Sequence, residues 1–504
     1  MLRAFYLVAL LLLVAPWIVA LAHAQTGTPE AASPAPIDVR VMTFNVWVGG
    51  GVQVDVAKVV EAIETAGADV VGLQEVEGHA RQIAGALGWL YVDERTQIIS
   101  RFPLIDPPGA NGIYVLVEVR PGHVFAIANV HLPSDPYGPE AVRDGATPEE
   151  VLALEAETRL PLLQPFLERL PELVADGIPT LLAGDFNSPS HLDWTAEMAE
   201  ARDQVRYPLA WPVGVAAQEA GFRDSFREAH PDPVQRPGLT WTPGYPHPTL
   251  RPGETLDRID WVLVAGEIET LKSEVVGEAG NSDVDLTVAP WPSDHRAVVS
   301  SLRLTPGVPP PLVAVNRRVV APGEEIIVRY HAPGEDGDRV TLVPAGGDPG
   351  PDALMSLPPQ ESFVDGAVVF GTGALAPGAY EAVLTGADGG ELARIPFRVQ
   401  DAAARPTLSV AEASVAAGEP ITVRWEHAPG FKWDWVGIYA AGDPDLYNYM
   451  AFLYTKSEIA GSVVFDEAAF SGTLEPGEYE ARLMRDDGYV LLATAPFTVT
   501  GSDE

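Results

Sequence analysis

The sequence predicts an α/β sandwich of four layers, two mixed sheets flanked by helices, followed by two all-β sandwiches of immunoglobulin (Ig) type. Three observations predict it. Short apolar, β-branched runs alternate with amphipathic stretches; each of those runs ends in a polar cluster; and beyond Pro306 one pattern occurs twice. Strands alternating with helices call for sheets covered by helices. Short alternating strands with Pro-Gly turns, repeating at about a hundred residues, call for Ig-like sandwiches.

The chain opens differently from the rest. Arg3 is followed by an almost wholly apolar run from Phe5 to Ala22 and by Ala22-His23-Ala24, which reads as a secretory signal (residues 1–24) cleaved before Gln25. An uncleaved membrane anchor is the alternative, because the run approaches spanning length. With cleavage, the expected location is secreted or periplasmic, with no stable membrane span. The sequence contains 0 cysteines, so neither a lipid-modified cysteine nor a disulfide is available. Residues 25–36, rich in Thr, Ala, Ser and Pro, read as a flexible leader.

Residues 37–305 carry the strand and helix alternation. Val39 to Phe44, Val70 to Leu73, Val124 to Val130 and Thr180 to Ala183 read as buried strands, and Ile259 to Val264 as a later one. Val54 to Ala66, with Val56, Val59, Val60 and Ile63 on one face and Gly67 beyond, reads as an amphipathic helix. Thr147-Pro148-Glu149-Glu150 supplies an N-cap, a first-turn proline and the capping-box glutamate of a second helix. Pro161 and Pro165 should kink or divide it.

Five polar clusters close these runs: Phe44-Asn45, Leu73-Gln74-Glu75, Asn129-Val130-His131, Gly184-Asp185-Phe186-Asn187 and Ser293-Asp294-His295. Placing so many polar groups beside a core is unfavourable unless they converge on one site. Carboxylates and carboxamides without cysteine are hard ligands, suited to Mg²⁺, Mn²⁺ or Ca²⁺ rather than zinc. A single Mg²⁺ held by one or two carboxylates, with water and phosphate oxygens completing its shell, is the pattern of a phosphoester hydrolase. Water would be the nucleophile and an imidazole its base. Taken singly, the residues have plainer readings. Asp185 and Asn187 are typical turn formers, and His131 alone is more often structural. Spacing favours chemistry, because side chains two apart on an extended segment face one side.

On these motifs the stretch from Val39 to Leu304 resembles the endonuclease/exonuclease/phosphatase superfamily, with its deoxyribonuclease-I-like fold. Thr43-Phe44-Asn45 is similar to the first-strand motif, and Leu73-Gln74-Glu75-Val76 to the one carrying the metal ligand. Ile99 to Pro103 is similar to the central strand and turn, and Val130-His131-Leu132 to the histidine motif near the scissile phosphate. Asp257-Arg258-Ile259-Asp260-Trp261 resembles the late strand, and Ser293-Asp294-His295 the terminal motif. The resemblance implies metal contacts from Asn45, Glu75 and Asp294, with Mg²⁺ or Mn²⁺ as cofactor. It implies catalytic roles for His131, Asp185, Asn187, Asp260 and His295: His295 as base, Asp260 buttressing it, the others orienting water and stabilising charge. Arg258 is a candidate phosphate contact, and a surface ion pair is its equal alternative.

The repeat is legible in pairs of segments. Val320 to Tyr330 recurs as Val415 to Trp425, and Leu375 to Ala382 as Leu474 to Ala481. The expected sandwiches span 312–400 and 407–500. Trp433, Trp435, Tyr439, Tyr447, Tyr449 and Tyr454 distinguish the second copy. Most of these suit an Ig-like core, and any that are exposed make carbohydrate or another surface ligand the candidate partner.

Charge bears on the substrate. With 32 Lys and Arg against 70 Asp and Glu, the net charge is −38, so a polyanion is repelled at long range and the basic stripe of a tight nucleic-acid binder is missing. Arg95, Arg101 and Arg258 are the local cations available to phosphate. A small diester, a nucleotide, a phospholipid head group and extracellular DNA all remain open, with a sphingomyelinase-type activity ranked below the others. The segment Ser188 to Pro252, with Trp194, Tyr207, Trp211, Trp241 and Tyr245, is expected to select among them. The expected function is thus a secreted, metal-dependent phosphodiesterase. The alternatives are an extracellular nuclease and, in another class, a catalytically idle scaffold displaying ligand-binding Ig-like domains.

Overall fold

Near-continuous burial along the central strands places apolar side chains on both faces of two sheets. The computed structural model describes residues 35–501 apart from 48–54, 77, 360–364, 402, 431–433, 457, 467–468, 471–473 and 486–487. The expected signal, most of the leader and Trp433 lie outside the described residues. One sheet has seven strands in the order Leu286–Thr287, Ile268–Gly277, Ala297–Leu304, Ile37–Asn45, Val70–Gln74, Ile98–Ser100, Tyr91–Asp93. The other has six, in the order Leu104–Ile105, Tyr114–Arg120, His123–His131, Thr180–Asp185, Asp260–Ala265, Arg223–Asp224.

The four layers follow from which face each strand residue takes. Val41, Val70 and Ile98 of the first sheet pack against Phe125, Ile127, Leu181, Ala183 and Val262 of the second. Met42, Phe44 and Leu73 point the other way, onto Val59 and Ile63 of helix Val56–Ala66 and Ile83 of helix Ala80–Ala86. Ala126, Ala128 and Leu182 face Leu163, Phe166 and Leu170 of helix Leu160–Ala175. Removing apolar surface on both faces of each sheet supplies the main drive for this arrangement.

The local signals act as read. Asp55 caps the first helix by accepting from Lys58 N at 3.2 Å, and Gly67 ends it at φ 59°. Thr147 and Glu150 form the capping box of helix Pro148–Thr158. The chain restarts at Leu160 with Pro161 in the first turn, whereas Pro165 and Pro171 stay inside the second helix. Its buried Leu163, Phe166, Leu170 and Leu173 hold it against the sheet.

Beyond the α/β part, each repeat folds as a three-stranded sheet facing a five-stranded one, and the strand orders of the two copies match one for one. The first copy is fused to the α/β core: Gly307 and Val124 exchange backbone hydrogen bonds of 2.8 Å, and Leu312 and Ala314 join the cluster of Leu116 and Val124. Among the described residues no helix is long and apolar enough to cross a membrane.

Candidate active site

Strand register brings the polar clusters together. His123–His131 runs parallel to Thr180–Asp185 with His131 beside Asp185, and antiparallel Asp260–Ala265 puts Asp260 on the other side of Asp185. In the first sheet, Asn45 lies beside Gln74, so Glu75 leaves that strand at the same end. Two neighbouring sheet ends therefore present His131, Asp185 and Asp260 in one row and Asn45 and Glu75 in another.

Short contacts close the set. His295 Nδ1 lies 3.0 Å from Asp260 Oδ2, and its Nε2 lies 3.7 Å from Asp185 Oδ2. His131 Nε2 is 3.7 Å from the same Asp185 oxygen and 3.9 Å from Glu75 Oε1. Asn187 donates from its backbone N to Asp185 Oδ1 at 2.9 Å and from Nδ2 to the Leu132 carbonyl at 2.9 Å. Asp260 is itself fixed by the Thr240 hydroxyl, which accepts from the Ile259 and Asp260 backbone at 3.0 and 3.1 Å. With Nδ1–H donating to Asp260, His295 leaves Nε2 as the proton-accepting nitrogen.

Electrostatics mark the site as short of positive charge. Burial lifts the Asp185 carboxyl to about 6, Asp260 adding to the rise. Burial also lifts Asp294 to about 8, and Glu75 repels it further. Burial pushes the His295 imidazole down, but Asp260 and Asp185 more than offset this and raise it to about 10. Asp260 Oδ1 and Asp294 Oδ1 are buried without a hydrogen-bond partner. Carboxylates crowded at a sheltered point, with orphaned oxygens, fit a divalent cation, which would relieve both the repulsion and the missing partners. Oxygen or nitrogen atoms of Asp185, Asp260 and His295 also lie within 4.8 Å of one another, a spacing that permits joint coordination.

One expectation gains detail and one changes. Asn45 turns its Nδ2 to Glu75 Oε1 at 3.2 Å and Asp185 Oδ2 at 3.0 Å, while its Oδ1 accepts from Trp47 N at 3.1 Å. It braces both carboxylates, and the second lone pair of its Oδ1 stays available to a cation. Arg258 is not at the site. Its guanidinium is buried against Asp193 at 3.0 Å and Asp224 at 2.6 Å, leaving none of it for phosphate. Neither a surface pair nor a phosphate contact, it is an internal ion-pair hub. Arg95 is likewise paired, to Asp106 at 2.6 Å.

Several contributors went unassigned in the sequence. Gln74 Nε2 donates to Asn129 Oδ1 at 2.6 Å, and Asn129 Nδ2 donates to the Leu73 and Thr96 carbonyls at 2.8 and 3.0 Å. This buried amide pair ties the two sheets together one residue before Glu75 and two before His131. Trp241 and Tyr245 do reach the site: the Trp241 ring lies 4.7 Å from His295 and 4.9 Å from Tyr245, which meets Trp47 at 6.4 Å. Trp194 and Trp211 do not. They pack edge to face at 4.9 Å in a separate core with Val142 and Val151, and Tyr207 ties that core to the Ala146 carbonyl.

The profile of the Endonuclease/Exonuclease/phosphatase family matches residues 42–295, the span that holds every one of these contacts. The chain belongs to the Endonuclease/Exonuclease/phosphatase family. It is 32% identical over 254 residues to Uncharacterized protein F14F9.5 of Caenorhabditis elegans, covering 46% of this chain and 79% of that one. Among solved structures it is similar to an endonuclease/exonuclease/phosphatase from Beutenbergia cavernae DSM 12333 (21% identity, 72% of this chain, 100% of that chain, TM-score 0.35). It is also similar to D. rerio TDP2 complexed with a single-strand DNA product (16% identity, 53% and 98% coverage, TM-score 0.35). As a member of the Endonuclease/Exonuclease/phosphatase family the chain is a divalent-metal-dependent phosphoester hydrolase.

Proposed function

We propose that the protein is a secreted or periplasmic phosphodiesterase that uses Mg²⁺ or Mn²⁺. The observation that carries the reading is the Asp260–His295–Asp185 row, in which a buried imidazole is oriented by one carboxylate and faces another across 3.7 Å. A divalent cation held by Glu75 and Asp294 would neutralise phosphoryl oxygens and polarise the phosphorus for attack. Asp260 keeps the proton of His295 on Nδ1, so Nε2 takes the proton of the attacking water once the surrounding carboxylates are neutralised. Asp185, held by Asn45 and Asn187, orients that water. His131, on the far side of Asp185, donates to the phosphoryl oxygens as charge builds there.

A diester is favoured over a monoester by the aromatic wall. The second organic group of a diester needs a place beside the phosphorus, and Trp241 and Tyr245 offer ring surface next to His295. Export is supported by the apolar Phe5 to Ala22 run with its Ala-His-Ala end. Tyr447 and Tyr449 are exposed on the second Ig-like copy beside Asp443, Asp445 and Asn448, a ring-and-acceptor set suited to a carbohydrate surface.

The test is hydrolysis of bis-p-nitrophenyl phosphate and of plasmid DNA, each with Mg²⁺, with Mn²⁺ and with EDTA, by wild type and Asp185→Ala. Metal-dependent turnover that the variant loses is expected, and the DNA arm reports whether nuclease activity accompanies it. Turnover that persists in EDTA or in Asp185→Ala would overturn the reading. A mature N-terminus at Gln25, read by mass spectrometry of exported protein, tests the location.

A further inference from the structure

We infer that Arg485, on the second Ig-like copy, is a positioning residue for the turn that carries Glu75, so that this copy completes the metal site rather than trailing behind it. The inference rests on the metal reading above. Glu75 has a left-handed backbone, φ 53°, and so does Gly78 three residues on, φ 79°. A non-glycine residue holds such a conformation only where its surroundings over-determine it. From inside, Asn45 grips the Glu75 head and buried Val76 anchors the turn, with His79 N donating to the Val76 carbonyl at 2.8 Å.

From outside, the cover comes from Arg485. A Cβ built on Gly78 would lie 3.2 Å from the Arg485 guanidinium carbon and 3.2 Å from its Nη2. The glycine permits the positive φ, and the guanidinium lies directly against it. A cavity of about 510 Å³ opens beside the same helix start, and both copies line it, the first through Arg317 and Arg318. Arg81 and Glu94 share its wall with Gly430, Glu458 and Ile459 of the second copy. The copies differ at this place. The first reads Leu384-Thr385-Gly386-Ala387-Asp388-Gly389 where the second reads Leu483-Met484-Arg485-Asp486-Asp487-Gly488, so the arginine belongs only to the copy that meets the turn.

Groups bonded directly to a metal ligand alter affinity by about 10- to 100-fold, and Arg485, which acts on Glu75 through the turn, is placed at the lower end of that range. The experiment is calorimetric titration of the full chain with Mn²⁺ for wild type, Arg485→Gly, Arg485→Lys and Arg482→Ala. Arg485→Gly is expected to weaken Mn²⁺ binding by about 10-fold, with Arg485→Lys recovering part of it. Arg482→Ala, which removes an ion pair to Glu480 inside the same copy, is expected to bind as wild type does even where its melting temperature falls. Should Arg485→Gly unfold the second copy, Arg485→Gln, which keeps the stem and removes the charge, is expected to weaken binding likewise. Unaltered affinity in Arg485→Gly with wild type binding well overturns this inference alone. A wild type that binds no Mn²⁺ overturns the metal reading and this inference with it.

Discussion

Two buried charge clusters sit at the end of the same late strand, and they are opposites. Asp260 and Arg258 are two residues apart. Asp260 joins Asp185, Asp294 and His295, where burial and mutual repulsion push carboxyls up, Asp185 to about 6 and Asp294 to about 8. Arg258 joins Asp193, Asp224 and Arg227. There burial would push the Asp224 carboxyl up, but the two arginines outweigh it and hold it below the usual range. In the second cluster cations and anions answer one another inside the chain. In the first, carboxylate oxygens are left orphaned. Charge balance, more than burial or motif membership, separates a site from a scaffold.

The largest effect that would break this contrast is catalytic. Asp185→Asn and His295→Ala are each expected to lower kcat by about 10²- to 10⁴-fold. Asp185→Asn is expected to leave the melting temperature equal or higher, because it removes one of several like charges. Initial rates with Mn²⁺ beside calorimetric melting check this. A large loss of fold in Asp185→Asn would make the first cluster structural too.

Next in size is the reverse experiment. Arg258→Met strands Asp193 and Asp224 beside a single arginine, and breaking a buried pair in this way is destabilising by about 3–5 kcal/mol. Thermal and urea unfolding of the variant should show this, while kcat per folded molecule stays near wild type. Loss of activity without loss of stability would return Arg258 to the phosphate-binding role that its sequence context suggested.

Stability against pH sharpens the same comparison. In the metal-free protein Asp185 and Asp257 have carboxyls raised to about 6, Asp294 to about 8, and His295 is raised to about 10. An unfolded aspartate titrates near ~4 and an unfolded histidine near ~6.5, so the folded chain holds extra protons throughout the window between. The folded state therefore loses stability as pH rises. The melting temperature is expected to fall steadily from pH 6 to pH 9, and Mn²⁺ to restore most at the high end, where its carboxylate ligands are ionised. A melting temperature that climbs over this range would mean that the site carries a compensating cation of its own.

How much of this was legible in the sequence depends on range. Strand ends were readable because β-branched runs stop at polar residues, and parallel or antiparallel register then carries His131, Asp185 and Asp260 into one row. The sandwiches were readable because a repeat displays its own alignment. What stayed hidden is set by partners far apart in the chain. Nothing local to Arg258 announces Asp193, 65 positions away, or Asp224, 34 positions away. Trp194 and Trp211 looked like loop aromatics, and only tertiary packing shows that they form a core of their own. The Asn129–Gln74 bridge between sheets spans 55 positions, and its signal, two amides at strand ends, was seen without its purpose.

The smallest effect concerns the wall beside His295. Trp241 touches His295 and Tyr245 with ring centroids 4.7 and 4.9 Å away, and Arg251 lies over Tyr245 at 4.2 Å. If the wall serves the second substituent of a diester, Trp241→Ala should lose about 1 kcal/mol of ring contact, or about fivefold in kcat/KM, on bis-p-nitrophenyl phosphate. The monoester p-nitrophenyl phosphate, which places nothing there, should be hydrolysed by the variant as by wild type. Equal losses on both esters would assign Trp241 to holding the His295 ring instead. The wall would then belong with Thr240 and Asp260 among the groups that orient the base, and the preference for a diester would have to arise elsewhere on the rim.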